Sequence, residues 1–128
     1  MDDVNDADPV IDESYPSRQI LELIGDKWTP IVLYVLGHRT KRYSDLQRQI
    51  PGISKKMLTQ TLRGLEADGM LDRTVYAVVP PKVEYKLTAL GRRFVEPIAA
   101  LCEWGQEHRA DLEIVRANRR KGSPPESK

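Results

Sequence analysis

The chain is poor in the residues from which most catalytic and metal sites are built. It has one cysteine, Cys102, and two histidines, His38 and His108, among 128 residues. A single thiol excludes an intrachain disulfide and a thiolate cluster, and the two imidazoles lie far apart in sequence. No G-x-S-x-G, H-E-x-x-H or phosphate-binding glycine loop is present, and those are the patterns that place a nucleophile, a metal or a phosphate. An enzyme is therefore not expected, and no cofactor or metal is implied. Long apolar runs are also missing. IVLYVL, Ile31 to Leu36, is far below the roughly 20 residues of a membrane span. The opening MDDVNDADPVIDES lacks the basic and then apolar stretches of a secretory signal. The expectation is a cytoplasmic protein with no membrane partner.

What is present is charge, sorted by region. The net charge of +1 averages three unlike stretches. Residues 1–14 hold six acids (Asp2, Asp3, Asp6, Asp8, Asp12, Glu13) and no base. Residues 39–63 hold seven bases (Arg39, Lys41, Arg42, Arg48, Lys55, Lys56, Arg63) against Asp45, a balance of +6. Residues 116–128 hold five bases against Glu126, a balance of +4. Clustered charge of one sign points to a polyanionic partner better than the total does, although a solvated surface also carries charge runs.

The length suits one domain with a real core. The pattern gives a flexible acidic arm over 1–15, a folded domain over 16–116 and a basic flexible tail over 117–128. Within the domain, SRQILELIG carries Ile20, Leu21 and Ile24 on one side and stops at Gly25. A second helix from about Lys27 tolerates Pro30 only in its first turn, with Trp28, Ile31, Val32 and Val35 expected to bury. KRYSDLQRQIPG reads as two turns with Leu46 and Ile50 inward, closed by Pro51-Gly52.

The next segment, GISKKMLTQTLRGLEADGML, has the clearest signals in the chain. Ser54 is a good N-cap, Gly69 a good terminator, and Leu58, Leu62 and Leu65 follow the spacing of one helix face. The other face holds Lys55, Lys56, Thr59, Gln60 and Arg63 with no acid to pair them. Two helices joined by a tight turn, with cations on the second, suggest helix-turn-helix.

The period then changes from 3.6 to 2. LDRTVYA and VEYKL alternate around the VVPPK tip, giving a hairpin. Placed after such a helix, it is a wing. Thr88 N-caps a long final helix with Phe94, Ile98, Leu101 and Trp104 or Gly105 along its apolar stripe, and Pro97 is expected to kink it. The fold class is mainly α with a small β-hairpin (α+β): a winged helix-turn-helix with an additional C-terminal helix.

The residues LELIGDKWTPIVL, RYSDLQRQIPGISKKMLTQTLRGLEADGMLDRTVYAVVPPKVEYKLTALGR and LCEWG resemble the HxlR-type bacterial transcriptional regulators, from about Pro16 to Gly105. The resemblance implies a homodimeric, double-stranded-DNA-binding protein whose terminal helices make the dimer. Ile20, Ile24, Phe94, Ile98, Leu101, Cys102 and Trp104 are the residues expected there. Several members sense oxidants or electrophiles through a cysteine before the first helix; Tyr15 stands at that position here, so redox sensing is not carried over. Cys102 corresponds to the cysteine of the family's LCEW segment, and a small buried hydrophobe is its default role.

The chemistry of the polar face agrees. A B-DNA major groove admits one helix; Gln60 suits adenine, Arg63 guanine, and Thr59 a thymine methyl. Lys55 and Lys56 suit phosphate, as do Arg42 and Ser44 at the start of the preceding helix. Arg73 and Lys82 belong to the wing and are expected on phosphate or in the minor groove, with an Arg73–Glu84 pair across the hairpin as the rival for Arg73. Trp28, Tyr34, Tyr43, Phe94 and Trp104 either line a pocket for a small-molecule effector or simply pack. The functional expectation is a sequence-specific regulator, with repression the expected sign, acting as a homodimer on a palindromic operator. A protein-interaction module or non-specific DNA binder is the alternative.

Overall fold

A computed structural model of the chain describes residues 8–122; most of the expected acidic arm and the end of the expected tail lie outside them. The first helix, α1 (Pro16–Leu23), begins at a proline and buries none of its residues within the chain. Asp26 then organises the turn into α2 (Thr29–Leu36): its Oδ1 accepts from the backbone N–H groups of Trp28 and Thr29 at 2.8 and 2.7 Å. Burial alone would raise the Asp26 pKa, but the Thr29 hydroxyl and these N–H groups outweigh it and hold the carboxyl below its ordinary value.

The buried residues of α2 are Val32, Leu33 and Leu36. This corrects the expected inward set: Ile31 is exposed, and Trp28 and Val35 are only partly buried. Nearly every side chain of this helix is apolar, so the sequence defines no single face; packing against both α4 and α5 chooses it.

A short strand, β1 (Lys41–Arg42), leads into α3 (Tyr43–Gln49). The turn Pro51-Gly52, with Gly52 at φ 95°, then delivers the chain to α4 (Lys55–Ala67). Ser54 Oγ accepts from the Met57 N–H at 3.1 Å, the N-cap expected from the sequence. At the other end Gly69 takes φ 81°, where a side chain would be strained. Leu58, Leu62 and Leu65 are buried, together with Thr61, whose hydroxyl donates to the Met57 carbonyl at 2.8 Å.

Strands β2 (Leu71–Tyr76) and β3 (Lys82–Leu87) form the hairpin, and β1 adds to β3, so the sheet order is β1-β3-β2, antiparallel throughout. The sequence showed only two strands; a two-residue strand has no alternation to read. The register sorts the sheet into two faces. Lys41, Arg73, Val75, Val83, Tyr85, Leu71 and Leu87 share one, and Arg42, Thr74, Tyr76, Lys82 and Glu84 share the other.

Thr88 ties the hairpin to the last helices. Its Oγ1 donates to the Gly69 carbonyl at 2.7 Å and accepts from the Gly91 N–H at 3.1 Å, capping α5 (Ala89–Glu107). This helix continues through Pro97, which is exposed, and the chain leaves helical geometry at His108 before α6 (Arg109–Gly122). At Pro97 the ring leaves the carbonyl one turn earlier without an N–H partner. At His108 the imidazole stacks on Trp104, centroids 3.9 Å apart and planes 7° from parallel. Helix α6 also runs on through residues 117–122, which the sequence assigned to the tail.

The core lies where α2, α4, α5 and the inner sheet face meet, around Leu33, Leu46, Leu58, Leu71 and Ile98. Gly91 is buried at this junction because the Met70 carbonyl passes directly over its Cα. A Cβ there would collide with backbone, not with a movable side chain. Gly91→Ala is therefore expected to destabilise the fold by about 1–3 kcal/mol or more, the usual range for overpacking. A lower urea midpoint with an unchanged m-value checks it.

Candidate nucleic-acid interface

Helix α4 has one face committed to the core, and that commitment fixes what the other presents. With Leu58, Leu62 and Leu65 buried, the exposed positions Lys56, Gln60 and Arg63 lie one above another at the 4–3 spacing of a helix face. Lys55 is exposed beside them at the helix start. Among the described residues, the ion pairs are Arg18–Glu22, Arg48–Asp45, Arg73–Glu66 and Lys82–Glu84. Lys55, Lys56, Arg63 and Arg42 are in none of them.

Thr59 is placed differently from its neighbours. It is partly buried on the flank that faces α3, with its hydroxyl 3.1 Å from the Tyr43 hydroxyl. Tyr43 donates its one proton to the Lys55 carbonyl at 3.0 Å, so Thr59 must donate to Tyr43. The Thr59 hydroxyl proton is thus taken and its methyl remains. Tyr43 was read from the sequence only as an aromatic for packing or a pocket; the structure makes it the lock between α3 and the first turns of α4. No sequence signal pairs residues this far apart.

Arg42 and Ser44 are exposed at the start of α3. The Arg42 backbone N–H donates to Asp45 Oδ2 at 3.0 Å, and Arg48 closes on Asp45 Oδ1 at 2.6 Å. These two partners, in that order of weight, hold the Asp45 carboxyl below its usual range, with Lys41 adding a smaller pull. Lys41 itself is only 4% exposed, on the inner sheet face opposite Tyr85.

The wing cations divide. Arg73 lies on the inner face, and its Nε is 3.6 Å from Glu66 Oε1 at the end of α4. Its rival expected from the sequence, Glu84, stands opposite Thr74 and therefore on the other face. Lys82 lies on that outer face with its Nζ 3.4 Å from Glu84 and 4.7 Å over the Tyr76 ring. A hollow of about 210 Å³ between helix and hairpin is lined by Thr59, Leu62, Arg63, Glu66, Arg73 and Tyr85. It joins the α4 face to the inner face of the wing.

The expected dimer residues do not form one patch. Ile98 is 2% exposed and belongs to this chain's own core. Ile24, Phe94 and Cys102 are half-buried against that core. Burial, with a smaller push from Glu103, raises the Cys102 thiol above its ordinary pKa, the reverse of what a reactive thiol needs. Leu101 and Trp104 are exposed, at 64% and 49%, while Ile20 is half-buried beside Leu21 at 62%. Helix α6 adds Leu112, Ile114 and Val115, all exposed. The sequence reading missed these because it followed the apolar stripe no further than Gly105.

The five aromatics are dispersed. Trp28, Tyr34 and Tyr43 pack on the core, and Trp104 stacks on His108. Phe94 borders an open apolar groove of about 490 Å³ with Pro16, Ile20 and Leu23. Among the described residues no helix is long and apolar enough to cross a membrane, and no His, Cys, Asp or Glu group is arranged to hold a metal.

The comparisons with known proteins agree with this architecture. A family model described as HxlR-like helix-turn-helix matches residues 23–113. The uncharacterized HTH-type transcriptional regulator YtfH of Escherichia coli K12 is 45% identical over 107 residues, 84% of this chain and 85% of that protein. YtcD of Bacillus subtilis 168, also an uncharacterized HTH-type transcriptional regulator, is 52% identical over 88 residues, 69% of this chain and 70% of its own length. Among solved structures, a protein from Porphyromonas gingivalis W83 described as a MarR-family transcriptional regulator superposes with a TM-score of 0.76 at 37% identity. It covers 79% of this chain and 99% of that one.

The Tyr43 lock generates a prediction. Tyr43→Phe removes the bonds to Thr59 and to the Lys55 carbonyl while keeping the ring. It should cost about 0.5–1.5 kcal/mol per lost bond, read as a lower urea midpoint. An unchanged midpoint would mean that the hydroxyl fixes nothing.

Proposed function

The chain belongs to the HxlR-like helix-turn-helix family, and from that premise we propose that it acts as a homodimer on a palindromic operator, as a repressor. Its relatives and its winged-helix fold are those of DNA-binding transcriptional regulators and not of enzymes. The observation that carries the finer reading is the α4 face. Lys56, Gln60 and Arg63 stand exposed together and outside the ion pairs of the described residues, on a helix whose other face is clamped in the core.

In this reading α4 enters the major groove. Gln60 and Arg63 reach base edges, Gln60 bidentate to adenine and Arg63 to guanine, and the Thr59 methyl meets a thymine methyl. Lys55 and Lys56, at the start of the helix, hold phosphate; Arg42 and Ser44 at the start of α3 add backbone contacts, which set position and not sequence. The hairpin lies on the flanking backbone or minor groove. Cytoplasmic location follows from the task, since the operator is there.

The homodimer is supported by apolar side chains that a single chain leaves in water. Leu21 on α1, Leu101 and Trp104 on α5, and Ile114 and Val115 on α6 are all exposed. Apolar side chains left exposed on three helices give a second copy of the chain something to cover. A twofold dimer brings the same helices of two copies together and sets two α4 helices on two half-sites. A dimer seated on promoter DNA represses by excluding the polymerase. A small-molecule effector would find apolar space in the open groove beside Phe94.

Two outcomes test this. Leu101→Glu places a charge on a residue that is already exposed, so the fold should survive. The expected result is monomers in analytical ultracentrifugation together with a large loss of operator affinity; a monomer that still binds the operator tightly contradicts the dimer. Arg63→Ala is expected to lose about 1–3 kcal/mol of discrimination at one base pair per half-site. An equal loss on every sequence would make Arg63 a phosphate contact instead.

A further inference from the structure

The hollow between α4 and the hairpin offers hydrogen-bond donors that nothing among the described residues takes up. Its lining sets two arginines, Arg63 and Arg73, against one acid, Glu66. Arg63 is in none of the ion pairs of the described residues. Arg73 Nε stands 3.6 Å from Glu66 Oε1, near enough for the charges to act but too far for a hydrogen bond. Tyr85 is 9% exposed, and among the described residues its hydroxyl has no hydrogen-bond partner, whereas those of Tyr43 and Tyr76 are both bonded. Burial holds the Tyr85 phenol above its ordinary pKa, with Arg73, Tyr43, Glu66 and Arg63 acting on it in smaller measure. It keeps its proton at neutral pH and has it to donate. Strand pairing gathers these groups: in one row across the inner sheet face, Tyr85 stands between Arg73 and Lys41, and Lys41 is itself 4% exposed.

A buried hydroxyl without a partner is unfavourable in a folded protein. The group that would satisfy this one is defined by what surrounds it. Donors outnumber acceptors and the charge is positive, so the occupant is an anion. A planar guanidinium fork matches a carboxylate atom for atom, and two such forks face the hollow. The remaining wall is apolar: the Leu62 side chain, the Tyr85 ring and the Thr59 methyl, the Thr59 hydroxyl being turned to Tyr43. A phosphate would meet the donors and leave that wall uncovered. The volume, about 210 Å³, is below the roughly 300–1,000 Å³ of sites for drug-sized ligands, so the apolar body is small.

We infer that this hollow is a binding site for a small organic carboxylate, whose charged end bridges Arg63 and Arg73 and accepts from the Tyr85 hydroxyl while its apolar body lies on Leu62. The site is distinct from the open groove beside Phe94, whose lining has no charged residue. A bound carboxylate draws Arg63 off the α4 face and adds negative charge beside it, so ligand and DNA exclude one another. By linkage each weakens the other by the same factor. The exclusion rests on the reading of α4 as the DNA-contacting helix; binding of the carboxylate to the free chain does not.

The test titrates the full chain with sodium benzoate at constant ionic strength, read by amide NMR shifts, with sodium phosphate and sodium chloride in parallel. The expected result is saturable shifts at Thr59, Arg63 and Tyr85 with a benzoate Kd of about a millimolar, the scale for so small a ligand. Tyr85→Phe should raise that Kd roughly threefold to tenfold, the worth of one hydrogen bond, and Arg73→Gln should raise it further. Since the Tyr85 hydroxyl has no partner among the described residues, Tyr85→Phe should keep or raise the urea midpoint. A lower midpoint, or the parental benzoate Kd in both variants, would overturn the site. Phosphate shifts equal to those of benzoate would overturn the choice of an organic carboxylate. In fluorescence anisotropy on an operator duplex obtained by selection, benzoate at ten times its Kd should weaken binding at least about tenfold, and less in Tyr85→Phe. Saturable binding without that loss would overturn the exclusion. A parent chain that binds benzoate but no duplex would instead contradict the reading of α4 and leave the carboxylate site standing.

Discussion

Burial of one face of α4 is the constraint on which the rest depends. Leu58, Leu62 and Leu65 lie in the core with Leu33, Leu46 and Ile98, so the helix cannot rotate without exposing several leucines. Each such side chain is worth about 1.5–3 kcal/mol when fully buried. That energy holds Lys56, Gln60 and Arg63 outward in fixed order. Neighbouring elements then trim what the face offers. Tyr43 takes the Thr59 hydroxyl, and Glu66 holds Arg73 at the far end. The polar surface is thus a product of the apolar one.

The junction at Gly69, Thr88 and Gly91 has the same character. Thr88 bonds to the Gly69 carbonyl, to the Gly91 N–H and, through its own backbone N–H, to the Met70 carbonyl. The end of α4, the foot of the hairpin and the start of α5 therefore move as one piece. The hairpin is thereby tied to the end of α4, and α5, which bears the exposed Leu101 and Trp104, starts from the same junction. In the proposed dimer this rigidity is what would convert the pairing of terminal helices into a fixed distance between two α4 helices.

Where the sequence carried strong local chemistry, it was sufficient. The Ser54 cap, the Pro51-Gly52 turn, the left-handed Gly69 and the leucine spacing on α4 all appear as expected, because each depends on residues within a turn or two. What it could not show depends on distance or on an undecided pattern. Helix α2 is apolar all round, so packing alone chose its inward face. Strand β1 exists only through its pairing with β3. The partners of Arg73 and Lys82 follow from register, which sends neighbouring candidates to opposite faces. The break at His108 carries no proline or glycine to announce it. Ile98 shows the same limit from the other side, since the stripe that marks a dimer helix also marks a core helix, and the sequence cannot divide one from the other.

The central claim, that α4 reads sequence as one half of a twofold dimer, is tested most directly by selecting bound fragments from a random duplex pool with the purified chain at near-physiological salt. The account predicts an enriched palindrome whose half-sites lie about one helical turn, or a multiple of it, apart. A pool that yields no motif, with binding that vanishes as salt rises, would contradict it.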